Sequence, residues 1–245
     1  MQPNFHLAAE AVCPGCQIGP IVVTNSMVIM LVVMIALLLV AWLVRVRLSA
    51  VPGGLQNAVE MIMETLEEVV QPALGKYATR LFPLMASFFI FILFANWFSL
   101  LPLVGTIGYI EREEWHRVLV PFLRPATADL NMTLALAIAA FIVIHASGVS
   151  VHGPLGHLKA LSHNVFLAPV FVVIELFVIV SLSFRLFGNL FAGEVLIGMA
   201  SWILPVVGVL FLVLELLFGL IQATIFTMLT LSFTSVSISG AEEHG

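Results

Sequence analysis

Charge is what this chain lacks most. Only 9% of its residues are charged while 61% are hydrophobic. A soluble domain carries about 25% charged residues, so this chain cannot cover a water-facing surface and reads as a polytopic membrane protein. Basic residues are scarcer still: nine Lys and Arg in the whole sequence. No basic stripe exists, which excludes nucleic acid as a partner. Residues 1–26 hold no Lys or Arg, and so lack the basic n-region of a cleaved signal peptide. Cysteine is limited to Cys13 and Cys16. A single CxxC without a second pair gives a small exported loop that can oxidise, rather than a zinc site.

What is present is long apolar runs, and their basic flanks give an orientation. The first span, 27–44, ends at Arg45 and Arg47, which places the N-terminal segment 1–26 outside and the following stretch in the cytoplasm. After Pro52-Gly53-Gly54, residues 55–70 set Val59, Ile62, Met63, Leu66, Val69 and Val70 at helical spacing against Glu60, Glu64, Glu67 and Glu68. That is an amphipathic surface helix on the cytoplasmic side. Lys76 and Arg80 precede a second span, 81–104. The loop 105–129, with Glu111, Arg112, Glu113, Glu114, Arg117, Arg124 and Asp129, balances its charges as an outside loop does. A third span, 130–148, returns to a loop with His152, His157, Lys159 and His163, which lack tight ligand spacing and read as solvated residues.

Two apolar segments, 164–202 and 204–239, complete the chain, with Pro205 at their junction. Each would be about 55 Å long as a continuous helix, against a hydrocarbon layer of ~30 Å. No polar turn interrupts either one, so the expectation is a hairpin of two long, strongly tilted helices. The fold class is therefore an all-α membrane protein forming a single integral membrane domain. It has about five membrane helices plus the surface helix, and its C-terminus is in the cytoplasm.

From Phe166 to Ser239 the charged residues are Glu175, Arg185, Glu194 and Glu215. A charge in the middle of a membrane helix costs roughly 2.5–3.5 kcal/mol on insertion scales, so these four point to an ion or proton path. At 100° per residue, Ser181, Asn189 and Ala192 fall within about 60° of Arg185, whereas Glu194 lies ~13 Å along the axis on the opposite side. Glu175 lies ~15 Å the other way. Glu215 and Gln222, seven apart, share a face. In a hairpin turning near Pro205, Glu194 and Glu215 are about equally far from the turn. Carboxylates exchange protons; arginine, with a pKa above 12, does not. Arg185 is then a fixed positive barrier between two proton-exchange zones, or alternatively a structural Arg–Glu partner. Gly188, Gly193 and Gly198 suit close helix packing as well.

Ser181-Leu182-Ser183-Phe184-Arg185-Leu186-Phe187-Gly188-Asn189-Leu190-Phe191-Ala192-Gly193-Glu194 resembles the signature of subunit a of F-type ATP synthases. Gly219-Leu220-Ile221-Gln222-Ala223-Thr224-Ile225-Phe226 is similar to the matching block of that family's last helix. Asp129-Leu130-Asn131, Asn96-Trp97 and the Glu242-Glu243-His244 tail fit as well. The resemblance runs from about Val51 to the end. It implies a bacterial-type stator subunit, multi-pass in the cell's inner (plasma) membrane, beside a rotating proteolipid c-ring. Peripheral-stalk b subunits, the other synthase subunits, lipids and protons would be its partners, with no cofactor and no catalysis of its own. It also implies that Glu194, Glu215, Gln222 and Asp129 line an outer half-channel, while Glu175, Ser181 and Asn189 line a cytoplasmic one, with Arg185 between them. Two positions depart from the family pattern: Val178-Ile179, where many relatives have a basic residue and Pro, and Glu215, where some have His. A stand-alone secondary transporter or channel is the competing class; it predicts internal repeats and paired broken helices, which the sequence lacks. No HExxH, GxSxG or nucleotide-binding loop supports an enzyme.

Overall fold

A computed structural model describes residues 17–18, 21–49, 52–101, 104, 108–113, 116–161, 168–203 and 205–239. Cys13, Cys16, His163 and the Glu242-Glu243-His244 tail lie outside the described residues. Six helices organise the rest: α1 (Asn25–Val46), α2 (Gly54–Leu74), α3 (Ala78–Ser99), α4 (Leu130–Leu161), α5 (Ala168–Ile203) and α6 (Pro205–Ser239). Five helical stretches, Asn25–Val46, Gly54–Ser99, Leu130–Pro154, Val180–Ile197 and Val207–Ser239, are long and apolar enough to cross a membrane. The chain is an all-α membrane protein.

Local chemistry accounts for the breaks between helices. Thr24 caps α1, its Oγ1 accepting the Met27 N–H at 3.4 Å. Asp129 caps α4, its Oδ1 accepting the Asn131 N–H at 2.9 Å and satisfying a first-turn donor. Gly75 ends α2 at φ 51°, where a residue with a Cβ is strained, and its N–H bonds the Gln71 carbonyl. Pro205 starts α6, where its missing N–H costs nothing. α4 runs past the span expected at 130–148. Gly153, at φ 71° and ψ 167°, interrupts it, and Pro154 opens a second short helical piece.

Two small hairpins were not anticipated from the sequence. β1 (Gln17–Ile18) pairs antiparallel with β2 (Ile21–Val22). β3 (Gly108–Glu113) pairs antiparallel with β4 (His116–Pro121), with Gly108 opposite Pro121 and Glu113 opposite His116. The segment read as a charged loop thus carries a ribbon. Tyr109, Ile110, Val118, Leu119 and Val120 are strand formers, and their short runs were masked by the charges between them.

The chain divides into two compact units, each drawing segments from several helices. The first comprises Met1–Leu39, Phe91–Thr133 and Phe184–Gln222; the second comprises Val40–Ile90, Leu134–Ser183 and Ala223–Gly245. The second contains an apolar core of Val70, Leu74, Ala78, Leu81, Met85, Leu231 and Ile238. α2 supplies Leu66, Val70 and Leu74 to the buried side of that unit and leaves Glu64, Glu67 and Glu68 exposed, the amphipathic division its spacing dictates.

Candidate functional site

The first unit holds most of the residues singled out by the sequence. Arg185 sits at the midpoint of α5 and is exposed. Around it Phe184, Ala192, Leu196 and Met199 are exposed too, and all of them fall on one side of the helix. Asn189 is half-buried. Ser181, in the second unit, is exposed. The side chains of Glu175 and Glu194 lie outside the described residues, as do those of His157 and Lys159 on α4.

On α6 the division of faces is sharp. Val209, Leu210, Val213, Leu216, Leu217 and Phe218 are exposed, while Glu215 and Gln222 are 6% and 5% exposed on the packed side. The Glu215 carboxyl fills the space where Gly193 of α5 has no side chain; a Cβ at position 193 would collide with it. The turn between α5 and α6 thus brings Glu215 opposite Gly193, the residue before Glu194. Two atoms on this face, Glu215 Oε1 and Gln222 Nε2, are buried without a hydrogen-bond partner among the described residues. Unpaired buried polar atoms cost about 1–3 kcal/mol each.

Asp129 does more than its sequence position suggested. Besides capping α4, its Oδ2 accepts a hydrogen bond from Ser26 Oγ at 2.6 Å, tying the start of α1 to the start of α4. Asn25 and Ser26 are both buried. Arg124, read from the sequence as one charge in a solvated loop, is 3% exposed. Its charge alone did not distinguish it from Arg112 or Arg117. The apolar Leu123-Arg124-Pro125-Ala126 setting was the available hint.

α3 meets α6 through two consecutive residues. Asn96 Nδ2 donates to the Gly219 carbonyl at 3.1 Å, and Trp97 Nε1 donates to the Leu216 carbonyl at 3.1 Å. Thr127 Oγ1 donates in turn to Asn96 Oδ1 at 3.1 Å. A buried carboxyl and amide on one helix face, an exposed guanidinium on the adjoining helix and a network of fixed donors form an arrangement suited to handling protons in a dry environment.

The sequence is similar to those of known proteins. A family model described as ATP synthase A chain matches residues 26–235. The chain is 36% identical over 207 residues to ATP synthase subunit a of Mycobacterium ulcerans, covering 82% of this chain and 80% of the relative. It is 32% identical over 227 residues to ATP synthase subunit a of Moorella thermoacetica, covering 91% and 94%. It is 32% identical over 231 residues to ATP synthase subunit a of Gloeobacter violaceus, covering 93% and 89%. A match over residues 26–235, reaching into both units, means that the chain belongs to the ATP synthase A chain family.

Proposed function

We propose that this chain is the proton-conducting stator subunit in the membrane sector of a rotary ATP synthase, working against a proteolipid c-ring and held by peripheral-stalk b subunits. It is not a catalyst by itself. In this reading it spans the cell's inner (plasma) membrane with its N-terminus outside and its C-terminus in the cytoplasm. α2 lies on the cytoplasmic surface, and α5 and α6 are tilted steeply across the bilayer.

The observation that carries the reading is Arg185. An always-charged group at the midpoint of an apolar helix of 36 residues faces outward among Phe184, Leu196 and Met199. Such a face cannot rest against lipid tails at a cost of roughly 2.5–3.5 kcal/mol. A partner bearing carboxylates would cover it, as the rim of a c-ring does. At an effective dielectric near 20 and a separation of ~4 Å, a guanidinium favours an ionised carboxylate by about 4 kcal/mol. An arriving ring carboxylic acid therefore releases its proton beside Arg185. The proton leaves along the cytoplasmic half-channel lined by Glu175, Ser181 and Asn189. The ionised carboxylate then passes Arg185 and takes a new proton from the outer half-channel lined by Asp129, Glu194, Glu215 and Gln222. Arg185 keeps its own proton throughout, which stops the two channels from joining.

The test is Arg185→Ala in membrane vesicles holding the whole complex. Proton-driven ATP synthesis should fall below detection, and Arg185→Lys should fail too, since an ammonium lacks the planar fork and deprotonates when buried. Synthesis near the wild-type rate in assembled Arg185→Ala complexes would remove this assignment.

A further inference from the structure

We propose that Asn96 and Trp97 of α3, together with Gly219 of α6, form a clamp that sets the rotation and depth of α6, making them positioning residues for Glu215 and Gln222. This inference rests on the functional reading above and extends it to residues that carry no proton themselves.

The clamp is built from main-chain acceptors, so it grips the helix itself. Asn96 is 1% exposed and donates to the Gly219 carbonyl, while Trp97 donates to the Leu216 carbonyl, both at 3.1 Å. Thr127 fixes the other end of the Asn96 amide, leaving it one orientation. The two gripped carbonyls lie between Glu215 and Gln222 in sequence. Gly219 is four residues after Glu215 and three before Gln222, which puts all three on one side of α6.

Gly219 allows the approach. A Cβ there would stand 3.0 Å from Asn96 Cβ and 3.6 Å from Trp97 Cδ1, so even a methyl group would push α3 off α6 and lengthen both hydrogen bonds. The lock is discrete. Turning α6 by one residue rotates it 100° and breaks both bonds; sliding it by one turn, 5.4 Å, offers the two donors other carbonyls but puts a residue with a Cβ, Glu215 or Ala223, where Gly219 leaves room. With the clamp closed, the Glu215 carboxyl meets the gap at Gly193 and Gln222 stays on the packed side. An exposed apolar face such as that of Leu216, Leu217 and Phe218 sets no rotation by itself, because lipid contacts are alike on every side. The donors of α3 supply the missing specificity.

The test uses the whole complex in vesicles, with passive proton flux through the membrane sector measured per assembled complex after the soluble sector is stripped. Trp97→Phe keeps an aromatic ring and removes the N–H together with the pyrrole half of the indole; Gly219→Ala adds only the methyl group. Each should lower flux about fivefold, the factor one hydrogen bond is worth, and shift the pH midpoint of the flux. A reduced amount of complex would leave that midpoint unmoved. In a Glu215→Gln background the same two changes should cost less than twofold, because the titrating one of the two residues they position is gone. Flux within twofold of wild type in assembled Trp97→Phe and Gly219→Ala complexes overturns the clamp. So does an undiminished fivefold loss in the Glu215→Gln background, which would mean that the contacts act on something else. If Gly219→Ala does not assemble, Trp97→Phe decides by the same criteria. A Glu215→Gln complex with wild-type flux would instead overturn the half-channel reading, and the clamp's purpose with it.

Discussion

The two units bury polar groups in different ways, and the difference marks where the chemistry lies. Among the described residues of the second unit the buried polar side chains are Gln56, Ser147, Ser183, Thr227, Thr230, Thr234 and Ser237, none of them ionisable, while His145 is half-buried. Several hydroxyls simply return to their own helix: Thr230 to the Phe226 carbonyl, Thr234 to Thr230, Ser147 to Val143. Others fasten the end of α6, with Ser237 Oγ donating to the Ile144 carbonyl at 3.1 Å and His152 Nε2 to the Ile238 carbonyl at 2.8 Å. Such bonds satisfy a hydroxyl in an apolar medium and let helices pack closely. The first unit buries Arg124, Glu215, Gln222, Asn96, Asn25 and Ser26, and two side-chain bonds there, Ser26 to Asp129 and Thr127 to Asn96, join segments far apart in sequence. Glu215 Oε1 and Gln222 Nε2 are buried there without a hydrogen-bond partner among the described residues. A buried hydroxyl bonded back to its own helix is structural, whereas a buried carboxyl such as that of Glu215 can gain and lose a proton. Thr227 Oγ1, unpaired in the second unit, is a neutral hydroxyl and cannot store charge.

The sharpest way to break this contrast is to neutralise the acids of the first unit. Glu215→Gln and Glu194→Gln should each lower proton flux about tenfold or more without dispersing the complex. The double variant should cost less than the product of the two, because coupled groups titrate as one. Strictly multiplicative losses would show that the two carboxylates work separately. Flux is the measurement, normalised to assembled complex.

The same comparison expects the second unit to answer through stability. Met85, fully buried in the apolar core, leaves a cavity when cut back to Ala. Met85→Ala should destabilise the chain by about 2 kcal/mol, at the low end for buried large-to-small changes, since lipid takes over part of the driving force. Thermal dissociation of the complex should occur at lower temperature, with flux per surviving complex unchanged. A specific loss of flux would place chemistry in this unit as well.

The smallest effect belongs to a satisfied hydroxyl. Thr234→Val removes a bond that Thr234 makes within its own helix and keeps the shape of the side chain. Flux and thermal stability should both stay within error of wild type, in contrast to the losses at Glu215. A threefold or larger loss of flux would mean that Thr234 belongs to a path.

The sequence already contained the helices, because each depends on a local pattern. Long apolar runs gave the membrane helices, four acids opposite six apolar residues gave α2, and Pro205 marked the junction of α5 and α6, whereas the breaks at Gly75 and Gly153 were not singled out. It also singled out Arg185, Glu194 and Glu215, since a charge in an apolar segment stands out in one dimension. The ribbon of β3 and β4 escaped notice, its short strands interrupted by charge.

What a helix faces is a different kind of fact. Moving one residue along a helix turns the side chain by 100°, so counting from the turn at Pro205 reaches the neighbourhood of Glu215 but cannot choose Gly193 as the residue that accommodates its carboxyl. The burial of Arg124, the bond from Ser26 to Asp129, and the grip of Asn96 and Trp97 on α6 carbonyls join residues about 100 or more positions apart, or depend on a chain packing over a charge. Main-chain carbonyls carry no sequence signature, because every residue has one. Local pattern determined where this chain turns into helix and which few charges it carries through the apolar layer. Tertiary packing alone decided which of those charges are enclosed, what holds them in place and which side of α5 is left for a partner.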